Sequence, residues 1–333
     1  MKTGVSYFGN RMLDHYRNVD LPEIANGNFD YVVHTFSEND LYYYSDTIAS
    51  MIEESHWAGL SVYIDPWGVG GLFAGEAFSD FLLKNPIAWQ ETADGSKIPI
   101  ACPNNPEFRA FIQSWLNVAV SMAPDVIFWD DPHLYVPLQG IHQSGDWTCH
   151  CTYCKEAFLS AYNRQMPALI DPEVIEFRQS TIVNFIRFGS AIAARHNVQN
   201  ALGLLPFEDP EHTIFQWGKI AEISEIDIIA VSPFWQVFGA NRNEFVSKWS
   251  ERIVQICKAS GKEPMVWLQA FLVEAGHEDE IKGAVEIAYD TGVRNFAVWG
   301  FRGCSHMSKI RCERPEIMWQ VVKDILIDVK TRG

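Results

Sequence analysis

Three cysteines lie within six positions of one another, in the pattern Cys149-x-Cys151-x-x-Cys154. Thiolate sulfur is a preferred ligand of Zn²⁺, and a structural zinc site usually takes four ligands in a tetrahedron. A fourth thiol, Cys102, precedes this cluster in the sequence, and His150 is an alternative ligand. The odd total of seven cysteines argues against a disulfide framework. We therefore predict a closed structural zinc site, with no position open to water, formed by Cys102, Cys149, Cys151 and Cys154.

Carboxylates follow several short apolar runs of the chain. Hydrolysis of a glycosidic bond needs one protonated carboxyl, which donates to the leaving oxygen, and one ionised carboxylate, which attacks C1 or activates water. Asp130 and Asp131 stand next to one another, and two close carboxylates raise the pKa of one of them, as a general acid at neutral pH requires. We predict that at least one of this pair is catalytic. The candidate partners are Asp65 and Glu38.

Large aromatic and polar residues occur at the same run ends. Flat amphipathic rings stack on the apolar faces of sugars, and polar side chains bind hydroxyl groups. Glu76 lies in a glycine-rich loop and can act as a lid residue, whereas Arg302 either binds an anionic sugar or pairs with Asp130 or Asp131. The predicted substrate-binding residues are His34, Trp67, Glu76, His133, Glu208, Trp235, Gln269, Trp299 and Arg302. Further stacking candidates are Tyr42, Tyr43, Tyr44, Trp129, Phe207 and Trp267.

Several of these residues also have a purely structural interpretation. Trp267 lies two residues before Gln269 in the same run, which favours an interior position for its ring. A single buried histidine such as His34 is more often a hydrogen-bonded structural residue than a catalyst. The alternative role for the stacking candidates is core packing.

Eight apolar runs alternate with longer amphipathic stretches, as in repeated βα units. The predicted strands are Gly4–Phe8, Tyr31–Phe36, Ser61–Asp65, Val126–Asp130, Ala201–Pro206, Ile226–Ser232, Met265–Gln269 and Phe296–Gly300. The predicted helices are Ser45–Ala58, Pro106–Ser121, Pro172–His196, Asn243–Ser260, Glu278–Thr291 and Pro315–Val329. This order predicts an α/β fold, a (β/α)₈ TIM barrel, with an open doubly wound sheet as the alternative. We expect one domain over 1–333, with a zinc-pinned loop at about 133–158.

The composition excludes some classes of partner. Lys and Arg total 26 against 42 Asp and Glu, for a net charge of −16 and a pI near 5.0. Neither nucleic acid nor an anionic membrane is therefore an expected partner, because both bind basic surfaces. The sequence shows no apolar stretch of membrane-spanning length and no signal peptide at its start, so we expect a cytoplasmic protein. Its 12 Trp, 11 Tyr and 21 Phe fit either a core or a sugar site.

The segments around the cysteines resemble the zinc-bearing β-galactosidases of glycoside hydrolase family 42. Residues 102–106 read Cys-Pro-Asn-Asn-Pro, and Cys149-x-Cys151-x-x-Cys154 is followed by Phe158. In that family, similar segments bracket the acid/base carboxylate of a (β/α)₈ barrel, and four cysteines bind structural zinc. The resemblance implies a glycosidase involved in carbohydrate metabolism, with an oligosaccharide or glycoside as its substrate. It covers about a sixth of the chain.

The sequence departs from the family at both catalytic positions. The fourth strand of family 42 ends in Asn-Glu, whereas here it ends in Asp130-Asp131, which aligns Asp131 with the acid/base. The seventh ends in Gln269, where the family has its nucleophilic Glu, and a neutral amide cannot attack an anomeric carbon. Two alternatives therefore stay open: a non-catalytic carbohydrate-binding barrel, and a metal-dependent sugar isomerase or hydrolase. No organic cofactor is expected, and a homo-oligomer is possible.

Overall fold

Eight parallel strands close into a barrel in the computed structural model, which describes residues 1–8, 10–135, 147–207, 209 and 214–331. The barrel strands are β1 (Lys2–Tyr7), β2 (Tyr31–Thr35), β3 (Ser61–Asp65), β6 (Val126–Trp129), β7 (Gln199–Leu204), β8 (Ile228–Val231), β9 (Glu263–Gln269) and β10 (Asn295–Trp299). Each strand pairs with the next barrel strand along the chain, and β1 pairs with β10 to close the ring. The predicted (β/α)₈ barrel is confirmed.

Helices connect successive strands and pack around the barrel. They are α1 (Leu13–His15), α2 (Leu21–Ala25), α3 (Glu38–Tyr43), α4 (Ser45–Trp57), α5 (Asp80–Lys84), α6 (Pro106–Ser121), α7 (Thr152–Tyr162), α8 (Pro172–Arg195), α9 (Trp217–Ala221), α10 (Arg242–Ser260), α11 (Glu280–Asp290) and α12 (Pro315–Thr331). All six predicted helices are present, with ends that differ by two residues at most. Over the described residues, we find no helix with the length and apolar character needed to cross a membrane.

Side chains alternate along each strand between the barrel interior and the surrounding helices. Tyr63, Phe128 and Trp267 belong to the inner layer, so the interior position predicted for Trp267 is confirmed. Asp65 follows Tyr63 by two residues, and Asp130 follows Phe128 by two. The same alternation therefore directs both carboxylates toward the inner side, at the C-terminal end of the barrel.

A two-stranded hairpin interrupts the βα alternation between β3 and β6. Its strands, β4 (Trp89–Glu91) and β5 (Lys97–Ala101), pair antiparallel outside the barrel. The buried Gln90 side chain holds the hairpin to later loops, because its Oε1 accepts hydrogen bonds from the backbone N–H of Tyr135 and the hydroxyl of Thr148. The hairpin thereby positions Cys102, which follows β5 directly.

The glycine at position 4 lets a tyrosine ring fill the base of the barrel. A Cβ at Gly4 would lie 2.0 Å from the Tyr31 ring, which stacks on Tyr63 with centroids 4.3 Å apart. We expect Gly4→Ala to reduce the free energy of unfolding by about 1–3 kcal/mol, because the two packed rings must move. Urea unfolding measures this change. Gly218→Ala is the control, since a Cβ there meets nothing within 4 Å and alanine favours helix α9. Equal losses in both variants would contradict the proposed packing.

Candidate active site

A pocket of about 150 Å³ lies at the C-terminal end of the barrel. Three carboxylate residues line it among the described residues: Glu76 from the loop after β3, and Asp130 and Asp131 from the end of β6. Its aromatic lining comes from Trp67, Phe128, Phe234, Trp267, Phe271 and Trp299. Acidic groups and aromatic rings therefore share one small cavity, at the end of the barrel where this fold carries its active sites.

The chain leaves β6 through two consecutive aspartates. The backbone N–H of Ala74 donates to the carbonyl oxygen of Asp130 at 3.0 Å, which fixes the loop after β3 against this strand end. Asp131 has a left-handed backbone, with φ of 36°. His133 Nδ1 lies 2.8 Å from the carbonyl oxygen of Asp131 and 3.7 Å from its Oδ2. The histidine therefore stands beside Asp131 and supports the turn instead of lining the pocket.

Asp65 lies next to Asp130 and is fully buried. Neither of its carboxylate oxygens accepts a hydrogen bond from any described residue. Burial raises the pKa of Asp65 well above its ordinary value, and the charges of Asp130 and Glu76 raise it further. The neutral form of Asp65 is thus favoured over the ionised form, since an uncompensated charge in this position is costly.

Asp130 has the properties of a proton donor. Burial raises the pKa of Asp130 to about 7, with further contributions from the negative charges of Asp131 and Glu76. A general acid works best when its pKa lies near the operating pH, because it must hold the proton and then release it. Burial raises the pKa of Glu76 as well, and among the three pocket carboxylates Asp130 is the one whose pKa is raised to about 7.

Four aromatic rings form one wall of the pocket and extend beyond it. Trp67 and Trp299 stack with centroids 4.9 Å apart and planes 12° apart, and Phe8 stacks on both of them. Trp267 meets Trp299 edge-on at 5.8 Å. Packed rings of this kind present a rigid apolar surface to a ligand.

Glu38 occupies a different position from the one expected of a catalytic partner. Its carboxylate is buried and accepts hydrogen bonds from the N–H of Gly70 at 2.9 Å, the hydroxyl of Ser79 at 2.6 Å and the N–H of Phe81 at 2.7 Å. These three donors connect α3 to the segment 70–81. Glu38 is outside the pocket lining, and it positions the loop that carries Glu76.

Gln269 and Trp235 are also held by contacts outside the pocket. Gln269 is buried, donates to the carbonyl oxygen of Phe271 at 3.1 Å and accepts from the N–H of Gln236 at 3.3 Å. Trp235 is buried as well and donates through Nε1 to Glu280 at 2.8 Å. Both side chains support loops around the barrel mouth, and neither lines the pocket.

Arg302 and His34 lie away from the pocket. Arg302 forms ion pairs with Asp20, at 3.1 Å, and with Glu23, so of its two predicted alternatives the pairing with Asp130 or Asp131 is wrong. Arg302 also does not line the pocket, where the other alternative placed it beside an anionic sugar. His34 is fully buried, and its Nε2 lies 3.3 Å from the hydroxyl of Tyr16. Burial lowers the pKa of His34 to about 3, so the ring is neutral. This favours the structural alternative for His34.

Other stacking candidates also pack elsewhere, and Glu208 lies outside the described residues. Trp129 is fully buried and donates to Asn200 Oδ1 at 2.9 Å. Phe207 meets Phe238 edge-on with centroids 5.5 Å apart. Since Trp129 precedes Asp130 by one residue, strand alternation directs its ring outward.

The sequence interpretation missed several rings of the pocket wall. Phe128 precedes Asp130 by two residues, so the period of two would have indicated its inward position. Phe8 ends the first predicted run and could have been selected on the same grounds as Trp299. Phe234 and Phe271 lie beyond the ends of β8 and β9, where no strand alternation predicts the direction of a side chain.

The four predicted metal ligands come together in the structure. Cys102, Cys149, Cys151 and Cys154 are all buried, and their sulfur atoms lie within 4.8 Å of one another. Four sulfurs about 2.3 Å from a tetrahedral zinc ion would be roughly 3.8 Å apart. Cys102 Sγ lies 3.4 Å from Cys154 Sγ and 3.5 Å from Cys151 Sγ. The donor set and its spacing therefore fit a closed metal site, which does not include His150.

Polar contacts around the cysteines hold the loop that supplies Cys149 and Cys151. The backbone N–H of His150 donates to the carbonyl oxygen of Glu91 at 2.7 Å, and this bond attaches the loop to strand β4. Arg178 from α8 is buried and donates through Nε to the carbonyl oxygen of Thr148 at 2.8 Å. The sulfur cluster thus joins the hairpin, this loop and α7.

No protein-family model matches the sequence, and no curated protein matches it. Among solved structures, the chain is similar to a catalytic mutant of a glycoside hydrolase family 42 β-galactosidase from G. stearothermophilus, with a TM-score of 0.73 and 12% identity. This match covers 99% of the present chain and 56% of the β-galactosidase. The chain thus spans little more than half the length of that enzyme.

Shorter glycoside hydrolases are similar over most of their length. The endo-1,4-β-mannanase from Rhizomucor miehei gives a TM-score of 0.62 at 13% identity. This match covers 99% of the present chain and 95% of the mannanase. The glycoside hydrolase domain of PgaB from Bordetella bronchiseptica gives 0.60 at 12% identity, with coverages of 90% and 94%. At such identities the likeness shows the barrel fold that these hydrolases share.

The raised pKa of Asp130 predicts a pH-dependent effect on stability. In the unfolded chain an aspartate has a pKa of about 3.9, so between that pH and about 7 the folded state holds a proton that the unfolded state releases. Stability is therefore lost as pH rises through this window. We expect Asp130→Asn to be more stable than the wild type at pH 8, and this advantage to shrink at pH 4.

Thermal unfolding at both pH values measures this difference. Asp14→Asn is the control for the loss of one carboxylate, because the Asp14 side chain is 93% exposed at the protein surface. An advantage of Asp130→Asn that is equal at pH 4 and pH 8 would refute the raised pKa.

Proposed function

We propose that this protein is a glycoside hydrolase and that Asp130 donates the proton to the glycosidic oxygen. The observation that carries the proposal is the placement of Asp130, with its pKa of about 7, in an aromatic-walled pocket that also contains Glu76. Two carboxyl groups, one protonated and one ionised, are the minimum for hydrolysis of a glycosidic bond. The glycoside hydrolases among the similar structures support the same class of reaction.

Glu76 is the proposed partner of Asp130. The two carboxylates must reach the bond from different directions, and Asp131 follows Asp130 on the same strand end. Glu76 comes from the loop after β3, so it can face Asp130 across the pocket. The proton of Asp130 passes to the glycosidic oxygen as the bond from C1 breaks. Glu76 either bonds to C1 or takes a proton from the water that attacks C1.

Asp131 and Asp65 are proposed to act through Asp130. The negative charge of Asp131 raises the pKa of Asp130, and Asp65 lies beside it, buried and without a hydrogen-bond donor among the described residues. The charge of Asp131 thereby disfavours the ionised form of the proton donor, while the charge of Asp130 in turn raises the pKa of Asp65. Asp131 and Asp65 are positioning residues, in contrast to Asp130 and Glu76.

Aryl glycosides with different leaving groups test the two roles. We expect kcat/KM of Asp130→Asn to fall about 10²- to 10⁴-fold on an aryl glycoside whose phenol is a poor leaving group. The loss should be much smaller with dinitrophenol, which departs without a proton. Glu76→Gln should lose activity on both, because attack at C1 needs the carboxylate in either case. The wild-type rate should fall as pH rises through about 7, where Asp130 releases its proton.

The assay uses α- and β-linked glycosides of galactose, glucose, mannose, xylose, fucose and N-acetylglucosamine, with Asp14→Asn as the control. Unchanged activity in Asp130→Asn, or equal losses for both leaving groups, would refute the role of Asp130. Failure of the wild type on the whole panel would favour the second candidate, a carbohydrate-binding barrel without catalysis. The neutral Gln269, already bound to backbone groups, is the observation that favours this candidate.

We further propose that the four cysteines bind one structural zinc ion. Four buried sulfurs leave no ligand position for water, so the metal would cross-link the hairpin, the loop 147–151 and α7. The chemistry of the pocket then belongs to the carboxylates. The cytoplasmic location and the single-domain organisation stay predictions from the sequence.

Metal analysis of protein purified without added metal tests the zinc assignment. We expect about one zinc per chain, which Cys151→Ser should lose together with several degrees of melting temperature, because metal binding contributes to folding. Cys257→Ser is the matched control, since Cys257 is buried outside the cluster and its replacement should leave the zinc content unchanged. Stable wild-type protein without metal would refute the site.

A further inference from the structure

A second, larger cavity opens beside the candidate active site. It measures about 1180 Å³, and we call it the tyrosine groove after Tyr42, Tyr43 and Tyr44 in its lining. Phe78 lines it from the segment before α5, and Trp67 lines both the groove and the pocket of Asp130. The groove and the proposed site of bond cleavage are therefore adjacent, with Trp67 in the wall of both.

The groove exposes several aromatic rings to solvent. Phe78 is 93% exposed, Tyr43 is 75% exposed and Tyr42 is 48% exposed. Lys84 Nζ lies 5.4 Å from the centre of the Tyr42 ring and supports it from one side. Exposed rings along a groove are suited to stacking on the apolar faces of sugars, while the tyrosine hydroxyls remain available for hydrogen bonds.

The charges around the groove are neutralised within the protein. Arg11 pairs with Asp40 at 2.6 Å, and Lys84 pairs with Asp80. All four residues line the groove, and their formal charges sum to zero. Among the described residues, the lining thus carries no excess charge to attract an anionic or cationic ligand, which favours a neutral one.

The two walls of the groove are connected to one another. Tyr43 ends helix α3, and Glu38 at the start of that helix binds Ser79 and Phe81, which follow Phe78 closely. Because the Glu38 carboxylate is buried and receives three hydrogen bonds, the walls are held at a fixed separation. A preformed groove binds a ligand without first ordering its own loops.

We propose that the tyrosine groove binds the continuing chain of a neutral oligosaccharide or polysaccharide whose cleaved linkage lies in the pocket. The proposal deepens the proposed hydrolase function and rests on it. Small-molecule pockets usually measure about 300–1,000 Å³, so a cavity of about 1180 Å³ has room for more than one sugar unit. The substrate class is therefore a glycan chain and not a simple glycoside.

Binding can be measured without cleavage in the Asp130→Asn background. Affinity electrophoresis in galactan, galactomannan, β-glucan and xylan identifies the polysaccharide that retards the protein, and polygalacturonate serves as the charged comparison. Calorimetry with the corresponding oligosaccharides of one to six units then gives the dependence on chain length. The test variant carries Tyr43→Ala and Phe78→Ala in addition to Asp130→Asn. The control carries Trp57→Ala in addition to Asp130→Asn, because the Trp57 ring is 72% exposed on α4 and lies outside the groove.

We expect binding to a neutral polysaccharide, with affinity that rises beyond the first sugar units. Loss of two stacking rings should weaken binding of the longer chains about tenfold, whereas Trp57→Ala should leave it unchanged. The proposal is overturned if none of the four neutral polysaccharides binds or if affinity is independent of chain length. It is also overturned if polygalacturonate binds most tightly, or if the Tyr43/Phe78 variant binds as its parent does.

Hydrolysis by the wild type separates this proposal from the catalytic one. Glycan binding that depends on Tyr43 and Phe78, without hydrolysis of any aryl glycoside or oligosaccharide, would leave the groove in place and remove the catalytic assignment. If the wild type hydrolyses aryl glycosides and oligosaccharides with an efficiency independent of chain length, the catalytic assignment is kept and the groove proposal is overturned.

Discussion

Closure of eight parallel strands into one barrel forces every second side chain into a single interior. Tyr31, Tyr63, Phe128 and Trp267 fill that space, so water is excluded from the layer directly beneath the barrel mouth. Any carboxylate that continues the inward alternation must lose much of its hydration. The raised pKa values of Asp65 and Asp130 are the direct consequence, and the acid chemistry proposed for this protein depends on them.

Loops at the C-terminal end of the barrel are held by a few buried polar groups. Glu38 binds the segment that carries Glu76 and Phe78, and Gln90 binds the hairpin to the loop of Thr148. The sulfur cluster joins that loop to Cys102. Each connection satisfies buried groups that would otherwise destabilise the fold, and the contacts of Glu38 also fix a wall of the tyrosine groove.

Local patterns predicted most of the scaffold. All eight barrel strands and six of the longer helices follow from apolar periodicity, because each element buries one face or one stripe. The hairpin β4–β5 and the short helix α3 escaped prediction. Their strands and turns are short, and the contacts that stabilise them, such as those of Gln90 and Glu38, come from residues distant in sequence.

The sequence by itself determined the barrel, the inward alternation that places Asp130, and the four cysteines as a ligand set. Only the tertiary structure decided which polar residues meet. Three predicted site residues lie at or just after the end of a strand: Glu38, Gln269 and Arg302. Each of them binds a neighbouring loop or helix, and none lines the pocket. Beyond the last hydrogen bond of a strand, the direction of a side chain depends on its partners in space, and most of these partners, such as Phe81 for Glu38 and Asp20 for Arg302, are distant in the sequence.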